Sequence, residues 1–401
     1  MISKIFISCL VFTFFLSGCS SAPESQLVPK ELHSQVNLFD NERIRYWGDS
    51  DEGIWDVIEY MRERRSSEGK VFNFLALSGG GGNGAFSSGI LSAWTDSGDR
   101  PQFDSTTGIS TGAIVAVFAY LGSEYDDVLT ELYTETTEQD IYTKNSVFSI
   151  FSRNALFDTT PFQEMLRKTI TPNVISKVAE EYKKGRLLHI GTTHLESQRL
   201  TIWNMGEIAL TGGAKAEKLF EDVILASAAI PGAFPPVLIE VEIDGQTYHE
   251  VHVDGGLSRQ VFFYNDVMTY DGDWTNGDAK SNMYVITNGE FYPQWKTTEL
   301  DLVYLVRRSI ATLLKYQGRS DVLRIYDEAS KSGNNFNFAF VDESLSQALA
   351  QDKIFDPELM KKLHHHGYTL MLADMLWHKK PPGFNTSTPE KDLRFSQGVL
   401  D

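Results

Sequence analysis

The hydrophobic and polar positions of the chain alternate between short apolar runs that stop at glycines and longer stretches with helical spacing. Val71-Phe72-Asn73-Phe74-Leu75-Ala76-Leu77 is an apolar run of strand length, and residues 85–94 follow it with a helical pattern. A weaker strand candidate at 103–107 leads through a glycine-flanked turn into residues 113–121. These are apolar on every side, so the pattern predicts a buried helix. Residues 187–192, 200–203, 248–253 and 283–287 predict further strands, and helical patterns fall between and after them, including 300–330 and 357–377. At Thr160-Pro161-Phe162-Gln163, a hydroxyl cap, a proline at the first helical position and a glutamine three residues after the cap predict a helix start. Strands that alternate with helices predict an α/β fold with a largely parallel sheet.

The amino terminus follows a different pattern. One cation, Lys4, precedes the run Ile5-Phe6-Ile7-Ser8-Cys9-Leu10-Val11-Phe12-Thr13-Phe14-Phe15-Leu16, which is too short for a stable membrane span and predicts a secretory signal. Leu16-Ser17-Gly18-Cys19 then resembles a bacterial lipobox, in which the cysteine is acylated and becomes the first mature residue. The alternatives are an ordinary signal peptide or an uncleaved anchor. On the lipobox reading residues 1–18 are the signal and 19–70 are a tether with Pro23 and Pro29, ending in a short helix near 56–65. Ser20 stands where aspartate is associated with inner-membrane retention, so an outer-membrane destination is expected if the source is a Gram-negative bacterium.

Composition narrows the picture. Cys9 and Cys19 are the only cysteines, so an exported chain would form no disulfide and must draw its stability from core burial. With 401 residues, 42% of them hydrophobic, it is large enough to do so. The net charge of -18 argues against nucleic-acid partners and against electrostatic adhesion to anionic lipid, which leaves the acyl chains of Cys19 as the expected attachment to a membrane.

Three glycine-bearing motifs carry candidate chemistry. Gly108-Ile109-Ser110-Thr111-Gly112 lies where a strand should turn into the buried helix, a geometry that pushes a serine hydroxyl out of the sheet edge. The bland alternative is a serine in a capping turn. Upstream, Gly79-Gly80-Gly81-Gly82-Asn83-Gly84 can aim backbone amides at a single point, and one such donor to a developing oxyanion is worth about 2.7 to 4 kcal/mol. The same residues satisfy a dinucleotide fingerprint through Gly79, Gly81 and Gly84, with Asp104 as its acidic partner. Export argues against that reading, which also leaves Ser110 and Asp254 unexplained. Asp254-Gly255-Gly256 follows a strand and can present a carboxylate at a tight turn, although it is also an ordinary turn sequence.

Taken together, these motifs resemble the patatin-like phospholipases over residues 71–288. Ala226-Ser227-Ala228-Ala229-Ile230-Pro231-Gly232-Ala233-Phe234-Pro235-Pro236-Val237 and Leu156-Phe157-Asp158-Thr159-Thr160-Pro161 are similar to two further family blocks. The resemblance implies a three-layer α/β/α sandwich with a hydrolase core over 71–290, followed by a helical region over 291–401 packed on it. It implies Ser110 as nucleophile, Asp254 as base, and an oxyanion hole at 79–84, with Gly108, Gly112, Gly255 and Gly256 shaping the turns. Lipid or phospholipid acyl esters would be the substrates, with no cofactor and no metal. An apolar groove would take the acyl chain, and Val147-Phe148-Ser149-Ile150-Phe151 is a candidate to line it, or else plain core. Asn83 departs from the family, which has a cation there, and this weakens a phosphate preference. Two rivals stand. One is a Ser-His-Asp esterase using His364, His365 or His366, and the other is a catalytically weak lipid-binding protein of the same fold.

Overall fold

The computed structural model describes residues 26–50, 71–145, 155–263, 281–289, 291–293, 295–342, 345 and 355–383. The expected signal, the expected lipidation site Cys19, the expected helix near 56–65 and the 147–151 segment lie outside the described residues.

Along the chain, β1 (Arg45–Trp47) precedes β2 (Phe72–Leu77), the glycine loop and helix α1 (Gly84–Asp96). β3 (Ser105–Gly108) leads into α2 (Thr111–Leu121), then α3 (Asp126–Thr134), α4 (Glu138–Ile141) and the small hairpin of β4 (Thr143–Lys144) with β5 (Phe157–Asp158). Two helices follow, α5 (Thr160–Thr169) and α6 (Pro172–Lys183), and then β6 (Leu187–His194) and β7 (Arg199–Asn204). After α7 (Met205–Thr211) and α8 (Gly213–Ser227) come β8 (Val237–Ile243), β9 (Gln246–Asp254) and β10 (Ser281–Thr287). A 30-residue helix α9 (Leu302–Lys331), β11 (Asn335–Phe340) and α10 (Pro357–Leu372) complete the order.

β6, β3, β2, β10 and β11 are parallel neighbours in that order and form the middle of a sheet that has nine strands among the described residues. β7, β1, β9 and β8 extend it by antiparallel pairing. Alternation along β2 sorts its side chains: Leu75 and Leu77 face one apolar cluster, Phe72, Phe74 and Ala76 the other. The first cluster is closed by α1, α2, α8 and α10, and the second by Val322, Ile325 and Ala329 of α9. Helices on both faces of a mostly parallel sheet make this the three-layer α/β/α sandwich. Residues Thr111 to Tyr120 of α2 are all buried, at about 1.5–3 kcal/mol for each large aliphatic or aromatic side chain.

Two local expectations change. Helix α5 starts at Thr160 itself, and the Asp158 carboxylate caps it by accepting from the Thr160 amide at 3.0 Å and from its hydroxyl at 2.6 Å. The carboxylate outcompetes the hydroxyl because it accepts twice. Past residue 290 the chain is not helical throughout. β11 adds Phe336, Phe338 and Phe340 to the second cluster, so the sheet runs beyond the expected boundary of the core. Among the described residues no helix is long and apolar enough to cross a membrane.

Candidate active site

The register of the sheet brings together the residues that the sequence separates. β7 occupies one edge of β6 over His189–His194, so β3 and β9 share the other edge. β3 pairs with β6 up to Gly108, opposite Ile190, and stops; β9 takes over the same edge with Asp254 opposite Thr192. The turn after β3 and the end of β9 therefore meet, and the Ser110 side chain lies in hydrogen-bonding reach of the Asp254 carboxylate.

Ser110 adopts φ 55° and ψ -125°, a conformation that costs a non-glycine residue of order 1–3 kcal/mol and must be held by its surroundings. Ser227, fully buried in α8, supplies part of that hold: its hydroxyl accepts from the Ser110 amide at 2.9 Å and donates to the Gly191 carbonyl at 2.7 Å. The bend also needs bare backbone. A β-carbon on Gly108 would stand 2.3 Å from the Gly112 carbonyl oxygen, and one on Gly112 would stand 2.4 Å from that of Leu77. Helix α2 then starts at Thr111 and points its amino end at the site, favouring negative charge there.

The glycine loop divides into two sets. The amide of Gly79 donates to the Gln260 carbonyl at 3.3 Å, that of Asn83 to Gly80 at 3.1 Å, and that of Gly84 to Gly81 and Gly82. Among the described residues no backbone acceptor takes the amides of Gly80, Gly81 and Gly82. These three are the donors that remain for a ligand oxygen, and Gly79, Asn83 and Gly84 act as framework. Asn288, just past β10, clamps the loop from behind: its amide donates to the Ser78 hydroxyl at 2.9 Å and its side chain to the Ser78 carbonyl at 3.1 Å. The Ser87 hydroxyl donates to Asn288 Oδ1 at 2.5 Å.

Burial pushes the Asp254 carboxyl up to about 7, against the Gly256 amide, which donates to its Oδ1 at 2.7 Å, and the Ser110 hydroxyl. A carboxyl near neutrality beside a hydroxyl can accept a proton at ordinary pH. Gln260 ties the two sides together. It donates from its side chain to Gly256 at 2.9 Å, while its own amide donates to the buried Asp321 carboxylate of α9 at 2.7 Å. Asn288, Gln260 and Asp321 are polar residues without a motif, which the sequence reading missed; Ser227 lies in the 226–237 block, but its role did not show there.

Two cavities open at Ser110. The wider, about 810 Å³, is bounded by the glycine loop, Asp254 and the amino-terminal part of α9. The narrower, about 50 Å³, runs between α2, α3 and α5 and is lined mainly by apolar side chains, among them Ile114, Leu132, Phe162, Met165 and Phe234. Neither is lined by a histidine. His364 packs against α1 and α3, with Thr130 at 3.3 Å, and His366 pairs with Asp342 at 3.1 Å, so the histidine triad finds no support. Asp104 accepts from the Asn73 amide at 2.8 Å at the opposite end of β2, away from the glycine loop, which removes the dinucleotide reading.

His33, His194 and Glu250 cluster elsewhere with metal-like spacing. The Ser197 amide donates to His194 Nδ1 at 3.2 Å, however, which leaves the proton on Nε2, facing His33 at 3.3 Å. Arg45 meanwhile grips the Glu250 carboxylate with both terminal nitrogens. This cluster is a hydrogen-bonded ion-pair network.

A mostly parallel sheet whose strand ends hold a glycine loop, a serine elbow and a buried carboxylate defines a hydrolase-type α/β/α domain. Residues 75–264, a little under half of the chain, match the family model described as patatin-like phospholipase. No curated protein matches the chain. Solved structures similar to it include VipD from Legionella pneumophila, at 12% identity over 77% of this chain and 67% of that one, with a TM-score of 0.41. ExoU from Pseudomonas aeruginosa, solved in complex with SpcU, gives 15% identity over 65% and 52%, with a TM-score of 0.30. Human GIVD cytosolic phospholipase A2 gives 9% over 76% and 53%, with a TM-score of 0.31. This chain thus spans about half the length of the last two, and likeness at this level carries no weight for its chemistry.

Proposed function

We propose that the protein is a lipid acyl-ester hydrolase that works through a Ser110-Asp254 dyad. Asp254 accepts the Ser110 proton, and the oxygen attacks the ester carbonyl carbon. The resulting oxyanion is held by the amides of Gly80, Gly81 and Gly82 beside the amino end of α2. Collapse expels the alcohol, protonated by Asp254, and leaves an acyl-Ser110 ester. Water, deprotonated by Asp254, then releases the fatty acid. The observation that carries this reading is the reach between Ser110 and a carboxyl raised to about 7, beneath three amides that point at no backbone acceptor among the described residues.

The two cavities suit a lipid. The narrow apolar one suits the carbonyl end of an acyl chain, and the wide one, with Arg307, Arg308, Lys315 and Arg319 in its wall, a polar head group. Those cations offer an anionic head group the partner that Asn83 does not. Incubation with a mixed lipid extract followed by mass spectrometry tests the reading: free fatty acid and lyso-lipid should appear with the wild type and not with Ser110→Ala. Equal release by both would refute it. Attachment through an acylated Cys19, and an outer-membrane location, remain part of this proposal; metabolic labelling with palmitate, lost in Cys19→Ala, is their test.

A further inference from the structure

Helix α9 is two helices in one. Its second half is rooted in the core by Val322, Ile325 and Ala329, whereas between Leu302 and Ser320 no described residue is buried. Yet this projecting half is not a polar helix. Leu302, Leu305, Val306, Ile310, Leu313 and Tyr316 are all exposed, and at 100° per residue they fall within a wedge of about 140°. Leu302 is 77% exposed and Leu313 70%, and just before the helix Trp295 and Leu300 are 87% and 89% exposed. So much contiguous apolar surface marks a surface that is covered in use.

The charge pattern says by what. Residues 302–320 contain Arg307, Arg308, Lys315 and Arg319 and no aspartate or glutamate, in a chain of net charge -18. On the helical wheel these cations lie outside the apolar wedge. An apolar stripe bordered by long cations is what the boundary between lipid head groups and acyl chains accommodates, with the stripe immersed and the cations reaching to phosphate. The same half-helix forms a wall of the cavity that opens on Ser110.

We infer that the amino-terminal half of α9, with Trp295 and Leu300, is a docking surface for an anionic phospholipid bilayer, which sets the mouth of the Ser110 cavity against the lipid. The overall acidity of the chain opposes such binding everywhere else, so the contact is oriented as well as localised. The delivery of substrate to Ser110 rests on the hydrolase reading above; the docking itself does not.

The test uses the full chain carrying Cys19→Ala and Ser110→Ala, so that neither an acyl anchor nor hydrolysis intervenes and the amino-terminal apolar run is common to every arm. Binding is measured by sedimentation with vesicles of phosphatidylcholine alone and of phosphatidylcholine mixed with phosphatidylglycerol. The expected result is about ten-fold or tighter binding to the anionic vesicles, weakening with salt. A Leu300→Ser, Leu302→Ser, Val306→Ser triple variant should lose about ten-fold, as expected for three apolar side chains removed from an interfacial stripe. None of these three lines the cavity, so with Ser110 and Cys19→Ala retained the triple variant should hydrolyse a soluble short-chain ester at the parent rate. Leu302→Glu alone is the second variant and should also weaken anionic binding. Binding that ignores lipid charge, or that is equal in parent and both variants, overturns the inference. An enzyme inert on the soluble ester with α9-dependent vesicle binding would refute the hydrolase reading and leave the docking surface standing; an active enzyme with α9-independent binding would do the opposite.

Discussion

The buried hydroxyl of Ser227 accepts the backbone amide of Ser110 at 2.9 Å, 117 residues away in sequence, and so locks the strained turn that presents the Ser110 side chain. Ser227 also donates to the Gly191 carbonyl, and its removal takes a partner from each of two buried backbone groups. Ser227→Ala is expected to lower stability by about 1–3 kcal/mol, read by denaturant melts, and to lower kcat more than it raises KM on a soluble ester. Unchanged kcat in a stably folded variant would show that the elbow holds itself.

Asp254 links function and stability with opposite signs. Its carboxyl is raised to about 7 in the folded state, above the ordinary carboxyl value, so the folded protein binds the proton more tightly than the unfolded one. Stability contributed by the neutral acid is present below the ordinary value and is lost as pH rises to about 7. As a base Asp254 must be ionised, so kcat/KM should climb through the same range to a plateau. Asp254→Asn should abolish turnover and yet melt at a higher temperature than wild type at pH 8. A lower melting temperature there would contradict the buried-acid picture. Asp321 and Glu328, also raised to about 7, tilt the wild-type curve in the same direction, and comparison with the Asn variant isolates Asp254.

What could be read in the sequence was the part written in backbone requirements. Glycines at 108 and 112 announce a bend that tolerates no β-carbon, and an unbroken apolar run announces α2, so the elbow was visible before the structure. Asp254 was visible through its glycines. Less visible was why position 254 meets position 110, since that depends on β3 ending at Gly108 and ceding its edge of β6 to β9, a matter of register that no local pattern encodes. Ser227, Asn288, Gln260 and Asp321 act through hydrogen bonds to partners distant in sequence, and such pairings leave no local pattern. β11 escaped because Asn335–Phe340 sits between two strong helical patterns. The cationic, apolar half of α9 disappeared in the whole-chain charge, which had argued against contact with anionic lipid.

The narrow cavity gives the enzyme a measurable preference. Met165→Trp fills space between α2 and α5, and should lower kcat/KM for p-nitrophenyl butyrate relative to the acetate by about ten-fold, since each methylene excluded from an apolar site forfeits about 0.8 kcal/mol. An unchanged ratio would place the acyl chain elsewhere.

The Arg45–Glu250 pair tests the network at the edge of the sheet. Burial works against the Glu250 carboxylate, and Arg45, with His194 and His252, overcomes this and holds its pKa well below the usual range. Arg45→Leu should cost about 3–5 kcal/mol in a chemical melt at neutral pH, because it leaves a buried charge without its cation. Since the depressed carboxyl favours the folded state above the ordinary value and that advantage fades as pH falls, the deficit should shrink toward acid pH.

The central claim is that Ser110, activated by Asp254, is the group that is acylated. Intact-protein mass spectrometry after treatment with a fluorophosphonate measures this directly: a single adduct should form on wild type and map to Ser110, be absent from Ser110→Ala, and form far more slowly on Asp254→Asn. Labelling of Ser110→Ala at the wild-type rate would contradict it.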